Sequence, residues 1–408
     1  MSRYSLSSLS GIRAVGAVLC VVVAGCAAID ALGHVTRRTK PELALTGPTW
    51  DGFSVGFAAS RELLVAGSRT NSGRMAQLAR ASINAEPINP VAVRLLGLVE
   101  EARNDRLALA RMRLAERLSR RELTTQLWLM ERATQSNDLD GALRHYDTAL
   151  RTGPASHAIL FPILARALDD DQIRAHLAVR LRRNPPWLAL FVEHVLTNRQ
   201  HMANLARTFV LAGTTPPEPG FELLSSAMLE VLVDQRQFEV AREFLAILPR
   251  SHARAASSMG FNEASTDARF RPFTWDPLTG SAVGAEFEEG GKALRAFAGS
   301  GERAVIMRRY VALPPATYEF AVREEPVEAG PDATRVWKVD CAMRGSDLAL
   351  AKVDGSLARE PRTTRFTFIV RPGCTYQRIS LEVAGGSDQL GLSLLARDLS
   401  IKPQNVRK

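Results

Sequence analysis

Lysine is scarce in this 408-residue sequence, because only six of its 52 basic residues are lysines. So strong an arginine bias is typical of a GC-rich genome as much as of selection for phosphate contacts. The net charge of +9 is not accompanied by any motif that interleaves aromatic and basic residues. We therefore do not expect nucleic acid to be a partner.

Motifs of catalysis and of metal binding are also missing. The sequence contains no Gly-x-Ser-x-Gly, no phosphate-binding glycine loop and no convincing pair of acids. His194 and His201 are two helical turns apart, but no third ligand stands in register with them. We predict no metal site, no cofactor and no enzymatic activity. The remaining alternative is an enzyme whose site is assembled from scattered residues.

The N-terminal 36 residues contain an uncharged run from Ala14 to Ile29. This run is short for a membrane span, which needs about 20 residues, and it reaches that length only when it is extended across Asp30 to Val35. One interpretation of residues 1–36 is therefore an uncleaved anchor that spans about 14–35.

The other interpretation is a lipoprotein signal, because Val23-Ala24-Gly25-Cys26 resembles the bacterial lipobox. That resemblance implies Cys26 as the lipidated residue. Both interpretations export the rest of the chain. We expect a bacterial envelope protein, either anchored in the inner membrane and facing the periplasm or held as a lipoprotein.

After the N-terminal segment, the apolar residues follow two different patterns. Residues 37–59 are a lead-in rich in proline and glycine, and from 60 to 250 the apolar residues recur at helical spacing. After a linker at 251–268, residues 269–408 alternate with a period of two, as in Phe366, Phe368 and Val370. We predict a multidomain chain, α then β: an α-solenoid followed by an antiparallel β-sandwich of the jelly-roll type.

A repeat of 34 residues runs through part of the helical region. Residues 125–154 resemble the tetratricopeptide repeat, although Gln126 and Met130 replace the usual Trp and Gly. The resemblance implies a solenoid of helical hairpins that binds protein partners. A generic antiparallel helical bundle is the alternative. The 34-residue shift pairs Leu95 with Leu129, Ala108 with Ala142, Met112 with Tyr146, and Ala115 with Ala149.

The pattern of the repeat family also implies an inner surface. That surface is the candidate for contact with a protein partner, and equally an ordinary solvent-facing one. Its members in this sequence are Glu100, Glu101, Glu131, Thr134 and Gln135.

Cysteine is rare, and Cys341 and Cys374 are the two cysteines outside the N-terminal segment. In an exported domain a close pair of thiols oxidises. We predict a structural disulfide between them, with two buried free thiols as the alternative. Neither cysteine stands in a Cys-x-x-Cys motif, so a redox role is not expected.

The pattern of short alternating strands in residues 269–408 resembles that of the non-catalytic carbohydrate-binding modules of secreted bacterial proteins. Such modules stack sugar rings on exposed aromatic side chains. Trp275 is the candidate for such a platform, with packing inside the domain as the alternative. Trp337 shares the inward face of Cys341 and is expected in the core.

The combined prediction is a membrane-tethered scaffold outside the cytoplasm that recruits proteins through its repeats. The assembly or export of envelope polysaccharide is the expected setting. The alternative is a carbohydrate-binding envelope protein that acts through its β-sandwich, with the solenoid as a spacer.

Overall fold

A computed structural model of the chain contains helices followed by strands. It forms two compact units, Met1–Leu160 and Phe161–Lys408. Their boundary falls within the helical region, whereas the sequence places a linker at 251–268. Residues 1–18 of the N-terminal signal, part of the lead-in and residues 251–257 of the linker lie outside the described residues. The structure describes residues 19–29, 31, 34–37, 39–45, 51–66, 71–101, 103–217, 219–249, 258–342, 347–356, 360–387 and 390–404.

Thirteen helices account for most of the described residues before the sandwich. The first is long and apolar enough to cross a membrane, and an N-terminal signal sequence has the same properties. The helices are α1 (Leu19–Thr36), α2 (Gly52–Ala66), α3 (Ser72–Ala85), α4 (Pro90–Glu100), α5 (Asp105–Leu118), α6 (Leu123–Gln135), α7 (Leu139–Thr152), α8 (His157–Ala167), α9 (Asp171–Leu181), α10 (Leu188–Asn198), α11 (Met202–Ala212), α12 (Glu222–Asp234) and α13 (Phe238–Ile247).

The 34-residue spacing corresponds to two helical hairpins in the first unit, α4 with α5 and α6 with α7. Asn104 and Asp138, 34 residues apart, cap the second helix of each hairpin by accepting a hydrogen bond from a main-chain N–H. The paired positions are buried where the two helices of each hairpin pack together. They are Leu95, Ala108, Met112, Ala115, Leu129, Ala142, Tyr146 and Ala149.

Gln126, which stands where the repeat family has Trp, is completely buried in the hairpin. Its Oε1 lies 2.9 Å from Nδ1 of His145. A buried amide needs a hydrogen-bond partner, and His145 supplies one from the second helix of the same hairpin. The departure from the family pattern is therefore compensated by a local polar pair.

The strands form two five-stranded antiparallel sheets, which confirms the predicted antiparallel β-sandwich. Sheet A has the order β1-β4-β9-β6-β7 and sheet B the order β2-β3-β10-β5-β8. The strands are β1 (Asp276–Pro277), β2 (Val283–Glu288), β3 (Ala293–Ala298), β4 (Arg303–Val311), β5 (Ala316–Ala329), β6 (Thr334–Ala342), β7 (Asp347–Ser356), β8 (Arg362–Val370), β9 (Gln377–Ala384) and β10 (Leu392–Pro403).

The core of the sandwich contains an ion pair as well as apolar side chains. Phe320 and Trp337 meet across the two sheets with ring centroids 5.0 Å apart. Beside them the side chains of Arg335 and Glu324 are each only 1% exposed. Arg335 donates to both carboxylate oxygens, at 2.6 and 2.8 Å, and Trp337 Nε1 donates to the same group at 3.0 Å. The carboxylate is also hydrogen-bonded to Thr364.

Within the second unit, the turn between α12 and α13 packs on the outer face of sheet A. Phe238 stacks on Tyr376 with ring centroids 5.2 Å apart and lies 5.7 Å from Tyr310. Arg236, in the same turn, forms an ion pair with Asp347 of β7. This end of sheet A is therefore covered by helix.

Candidate functional site

Trp275, the predicted platform, is completely buried. Its ring lies 5.5 Å from that of Phe261, and the guanidinium carbon of Arg309 lies 5.3 Å from its centroid. An aromatic ring without exposed surface cannot stack on a sugar. The expectation of an exposed platform at Trp275 is therefore corrected, and the alternative of packing describes this residue.

Arg309 explains why Trp275 is covered. This arginine of β4 is completely buried, donates from Nε to the carbonyl of Phe273 at 2.9 Å and from Nη1 to the carbonyl of Ser258 at 2.6 Å. It therefore ties the segment that precedes β1 to the sheet, with Trp275 underneath. Desolvation lowers the pKa of Arg309 to about 9, which leaves the guanidinium charged at neutral pH.

A different aromatic ring lies on the outer face of sheet B. In β3, Leu294, Ala296 and Ala298 point into the core, so Phe297 points outward and is half-buried. In register with it are Gly284 on β2 and Ser393 on β10. Neither neighbour places a large side chain beside the ring.

Main chain and a hydroxyl border this ring. On the β2 side, the backbone of Thr279 and Gly280 lies over Gly284, where an added Cβ would stand 3.0 Å from the Thr279 Cα. On the β10 side is the Ser393 hydroxyl. A pyranose ring also has an apolar face surrounded by hydroxyls. A sugar can therefore stack on this aromatic ring while its hydroxyls contact the polar groups at the edge.

Acidic side chains predominate around Phe297. They alternate with apolar and basic ones on the outward positions of β2, β3, β10 and β5. When the ion-paired neighbours and Arg323 are included, the carboxylates outnumber the guanidiniums by five to three, so the local charge is negative. These residues are Glu286, Glu288, Glu289, Glu325 and Glu328, and Arg295, Arg323 and Arg397. The outward residues closest in register are Glu286, Arg295, Leu395, Glu325 and Glu328.

Ion pairs fix the next part of this face. Arg295 pairs with Glu288, and Arg397 pairs with Glu289 and, at 3.3 Å, with Glu325. The hydrogen bond from Arg397 holds the pKa of Glu289 below its usual value. These side chains carry hydrogen-bond donors and acceptors in defined positions at the edge of the ring.

The outer face of sheet A is less open. Tyr310 and Tyr376 are both buried, with Phe238 against them. At the other end, Glu382 accepts from Arg303 at 2.5 Å and from Lys338. Among the described residues, Phe297 is the aromatic side chain that faces outward from a sheet without a ring or helix over it.

The residues of the predicted partner surface lie at the C-terminal ends of α4 and α6, and intramolecular contacts occupy each of them. Glu100 pairs with Arg111 at 2.8 Å, and Glu101 accepts from Trp128 Nε1 at 3.0 Å. These contacts do not test the binding of a partner, so that role stays a prediction. At the end of α6, Glu131 accepts from Gln135 at 3.4 Å, Gln135 from Arg132 at 3.1 Å, and Thr134 donates to the Met130 carbonyl at 3.0 Å.

Cys341 and Cys374 are joined by a disulfide. Their Cα atoms are 5.6 Å apart, within the range that a disulfide requires. Cys341 lies on β6 and Cys374 in the turn before β9. Cys26 is a free, exposed cysteine, and its lipidation stays a prediction.

Within the described residues, no three His, Cys, Asp or Glu side chains lie close enough to hold a metal ion. His194 and His201 do not form a site together. His201 Nδ1 lies 2.9 Å from a carboxylate oxygen of Asp169, and the ring of His194 lies 5.8 Å from that of Phe161.

No family model matches the sequence, and no curated protein matches it. The helical hairpins are therefore not assigned to the tetratricopeptide repeat family. The solved structures that match the C-terminal β-sandwich include carbohydrate-binding modules.

Three of them illustrate the similarity. A structure described as "CBM4 structure and function" has 15% identity and a TM-score of 0.27, and covers 34% of this chain and 92% of its own. The N-terminal cellulose-binding domain of β-1,4-glucanase C from Cellulomonas fimi has 16% identity and a TM-score of 0.26, covering 36% and 98%. The module TmCBM61 in complex with β-1,4-galactotriose has 13% identity and a TM-score of 0.25, covering 36% and 100%.

Proposed function

We propose that this protein binds a carbohydrate through the outer face of sheet B, with the ring of Phe297 as the platform. The observation that carries the proposal is the outward position of this ring between Gly284 and Ser393. A sugar stacked on the ring buries apolar surface and gains C–H contacts with the aromatic face. The hydroxyl of Ser393 and the main chain of Thr279–Gly280 then lie at the edge of the sugar.

The charge of the face favours a neutral glycan. Glu286, Glu325 and Glu328 lie near the ring on outward positions. Together with Glu288 and Glu289, they outnumber the arginines of this face. A uronate or a sulfated sugar would meet an excess of carboxylates, and like charges repel at this distance. Neutral hydroxyls donate to carboxylates without such a cost.

The rest of the chain supports a location outside the cytoplasm. The apolar helix α1 has the length of a membrane anchor or signal, and the Cys341–Cys374 disulfide belongs to an oxidising compartment. We propose that α1 or a lipid on Cys26 tethers the protein to the bacterial envelope, where its sandwich meets glycans.

Glycan-array screening of the full-length chain in detergent, followed by calorimetry with the best neutral oligosaccharide, tests the proposal. Phe297→Ala is expected to weaken binding at least about tenfold, because roughly 1.4 kcal/mol of stacking is lost. The matched control is Ile369→Ala, another apolar side chain on the outer face of sheet B, which is 56% exposed and lies on β8, away from the ring.

The two variants separate the possible results. Neutral-glycan binding that falls in Phe297→Ala and not in Ile369→Ala supports the platform. Equal affinity of wild type and Phe297→Ala overturns it. The absence of any neutral glycan among the bound sugars overturns the proposed function itself.

A further inference from the structure

A groove of about 570 Å³ lies between α5, α6 and α7 in the first compact unit. Its walls come from the second helices of the two hairpins and from the C-terminal end of α6. Leu109, Leu129 and Ala133 contribute an aliphatic floor. The charged lining residues are four arginines and three carboxylates.

The acidic residues of this groove are already engaged. Asp105 forms an ion pair with Arg132. Glu116 lies 3.2 Å from Nδ1 of His145, and Asp138 accepts from the main-chain N–H of Gly141 at 2.8 Å. Asp105 is thus neutralised by Arg132, whereas Glu116 and Asp138 accept from neutral groups and keep their charge, although their oxygens are engaged.

His145 adds no positive charge. Its Nδ1 faces the Gln126 Oε1, and its Nε2 lies 3.4 Å from an Nη of Arg144. A guanidinium only donates, so Nε2 accepts and the ring is neutral with its proton on Nδ1. Desolvation lowers the pKa of His145, although Glu116 opposes part of the shift.

Three arginines on the rim are left to interact with a ligand. Arg113 and Arg117 are exposed, stand one helical turn apart on α5, and have no ion-pair or hydrogen-bond partner among the described residues. Arg144, also exposed, has the neutral ring of His145 beside it. With four arginines and three carboxylates in its lining, the groove has a net charge of +1, and both of its walls present an arginine without an ion-pair partner in the described part of the chain.

We infer that this groove docks an acidic segment of a partner protein, with Asp or Glu carboxylates on Arg113, Arg117 and Arg144. Guanidinium and carboxylate form bidentate pairs, and aliphatic side chains of the segment fit over Leu109 and Leu129. A peptide fits better than a glycan or a nucleic acid, because none of the described lining residues is a Trp, Tyr or Phe on which a sugar or base would stack. The site lies in the first unit and is independent of the proposed carbohydrate binding.

The probe is a fluorescein-labelled peptide with the repeat Glu-Ala-Glu-Leu, compared with its Gln-Ala-Gln-Leu counterpart. Fluorescence anisotropy with the full-length chain in detergent measures both affinities at low and at physiological salt. We expect the Glu peptide to bind on the order of tenfold tighter than the Gln peptide, because charge-assisted hydrogen bonds contribute more than neutral ones. Salt should reduce that difference.

The variant Arg113→Gln/Arg117→Gln should remove most of the preference for the Glu peptide. The matched control is Arg120→Gln/Arg121→Gln, which removes the same charge from the exposed loop between α5 and α6. An equal loss in the two double variants would mean that net charge, and not the groove, holds the peptide, and would overturn the inference.

Two other outcomes would also overturn it. One is equal affinity for the Glu and Gln peptides. The other is binding of fluorescein-labelled polygalacturonate that depends on Arg113 and Arg117 while the Glu peptide does not bind, since the occupant would then be an anionic glycan.

Discussion

The α6–α7 hairpin of the first unit and the β-sandwich bury polar groups in different ways. In the α6–α7 hairpin, the buried pair is neutral and local, Gln126 with His145, 19 residues apart. In the sandwich it is ionic, Arg335 with Glu324, and it is completed by Trp337 from the strand of Arg335 and by Thr364 from β8. The hairpin therefore depends chiefly on the size of its side chains, whereas the sandwich depends on a charge that must stay paired.

The ionic pair gives the largest predicted effect. Glu324→Ala leaves the buried guanidinium of Arg335 without its carboxylate, and we expect a loss of about 3–5 kcal/mol in the free energy of unfolding. Urea unfolding followed by hydrogen exchange in β5 and β6 measures this loss.

The control for Glu324 is Glu319→Ala, which removes an outward carboxylate from the same strand and should cost less than about 0.5 kcal/mol. A Glu324→Met/Arg335→Met variant should recover much of the stability, because no charge is then orphaned. If Glu324→Ala cost less than about 1 kcal/mol, the sandwich would not depend on its ion pair.

The disulfide gives the next effect. Cys341→Ser should destabilise the sandwich by about 3–4 kcal/mol under oxidising conditions, because a loop of 33 residues is no longer closed in the unfolded chain. Thermal unfolding of wild type and variant should converge in reductant. Alkylation of two thiols in folded, oxidised wild-type protein would contradict the bond.

Side-chain size should matter more in the hairpin. Ala142, 8% exposed, lies where α6 packs on α7, so Ala142→Leu should overpack the pair and cost about 1–3 kcal/mol. Exposed Arg144, two residues further on, is the control, and Arg144→Ala should change the free energy of unfolding by less than about 0.5 kcal/mol. Equal thermal shifts in both variants would argue against this register of the hairpin.

The features that could be predicted from the sequence are those that depend on residues close together in the chain. Ala108 and Ala142 revealed the hairpins because their contacts lie within one repeat, and the alternation in β8 revealed which strand residues face the core. The pairing of β10 with both β3 and β5 brings together residues 63 to 104 positions apart. No local pattern specifies such partners, so the composition of the outer face was not predictable.

At the candidate site, the surroundings of Trp275 and Phe297 likewise depend on residues distant in sequence. The burial of Trp275 results from Arg309, 34 residues further along, which binds the carbonyls around it. A detectable signal for Phe297 was present, because the inward run of Leu294, Ala296 and Ala298 implies that Phe297 faces outward. The openness of the ring follows only from its neighbours on other strands, Gly284 and Ser393.

The smallest predicted effect concerns stability as a function of pH, which should change in opposite directions around one carboxylate of the sandwich and one of the first unit. In the sandwich, Lys338, desolvation and Arg303 act on Glu382, and the net effect is a lowered pKa. A carboxyl group whose pKa is lowered by folding stabilises the folded state at pH values above its unfolded pKa of about 4.3. That stabilisation is lost as the pH falls through the folded-state pKa.

In the first unit, desolvation and Asp51 raise the pKa of Glu86. A carboxyl group whose pKa is raised by folding stabilises the folded state at low pH, and that stabilisation is lost as the pH rises through the folded-state pKa.

Removing each charge should therefore act in opposite directions. Glu382→Gln should destabilise β9 at pH 7 by less than about 1 kcal/mol, and the difference from wild type should shrink near pH 3. Glu86→Gln should stabilise α3 slightly at pH 7, because the amide keeps an oxygen for the Phe53 N–H without a partly desolvated charge beside Asp51. Hydrogen exchange resolved by region, at pH 4 and 7 with correction for intrinsic rates, distinguishes the two. A shift of the same sign in both variants would show that the carboxylates of the helices and of the sandwich do not differ in this respect.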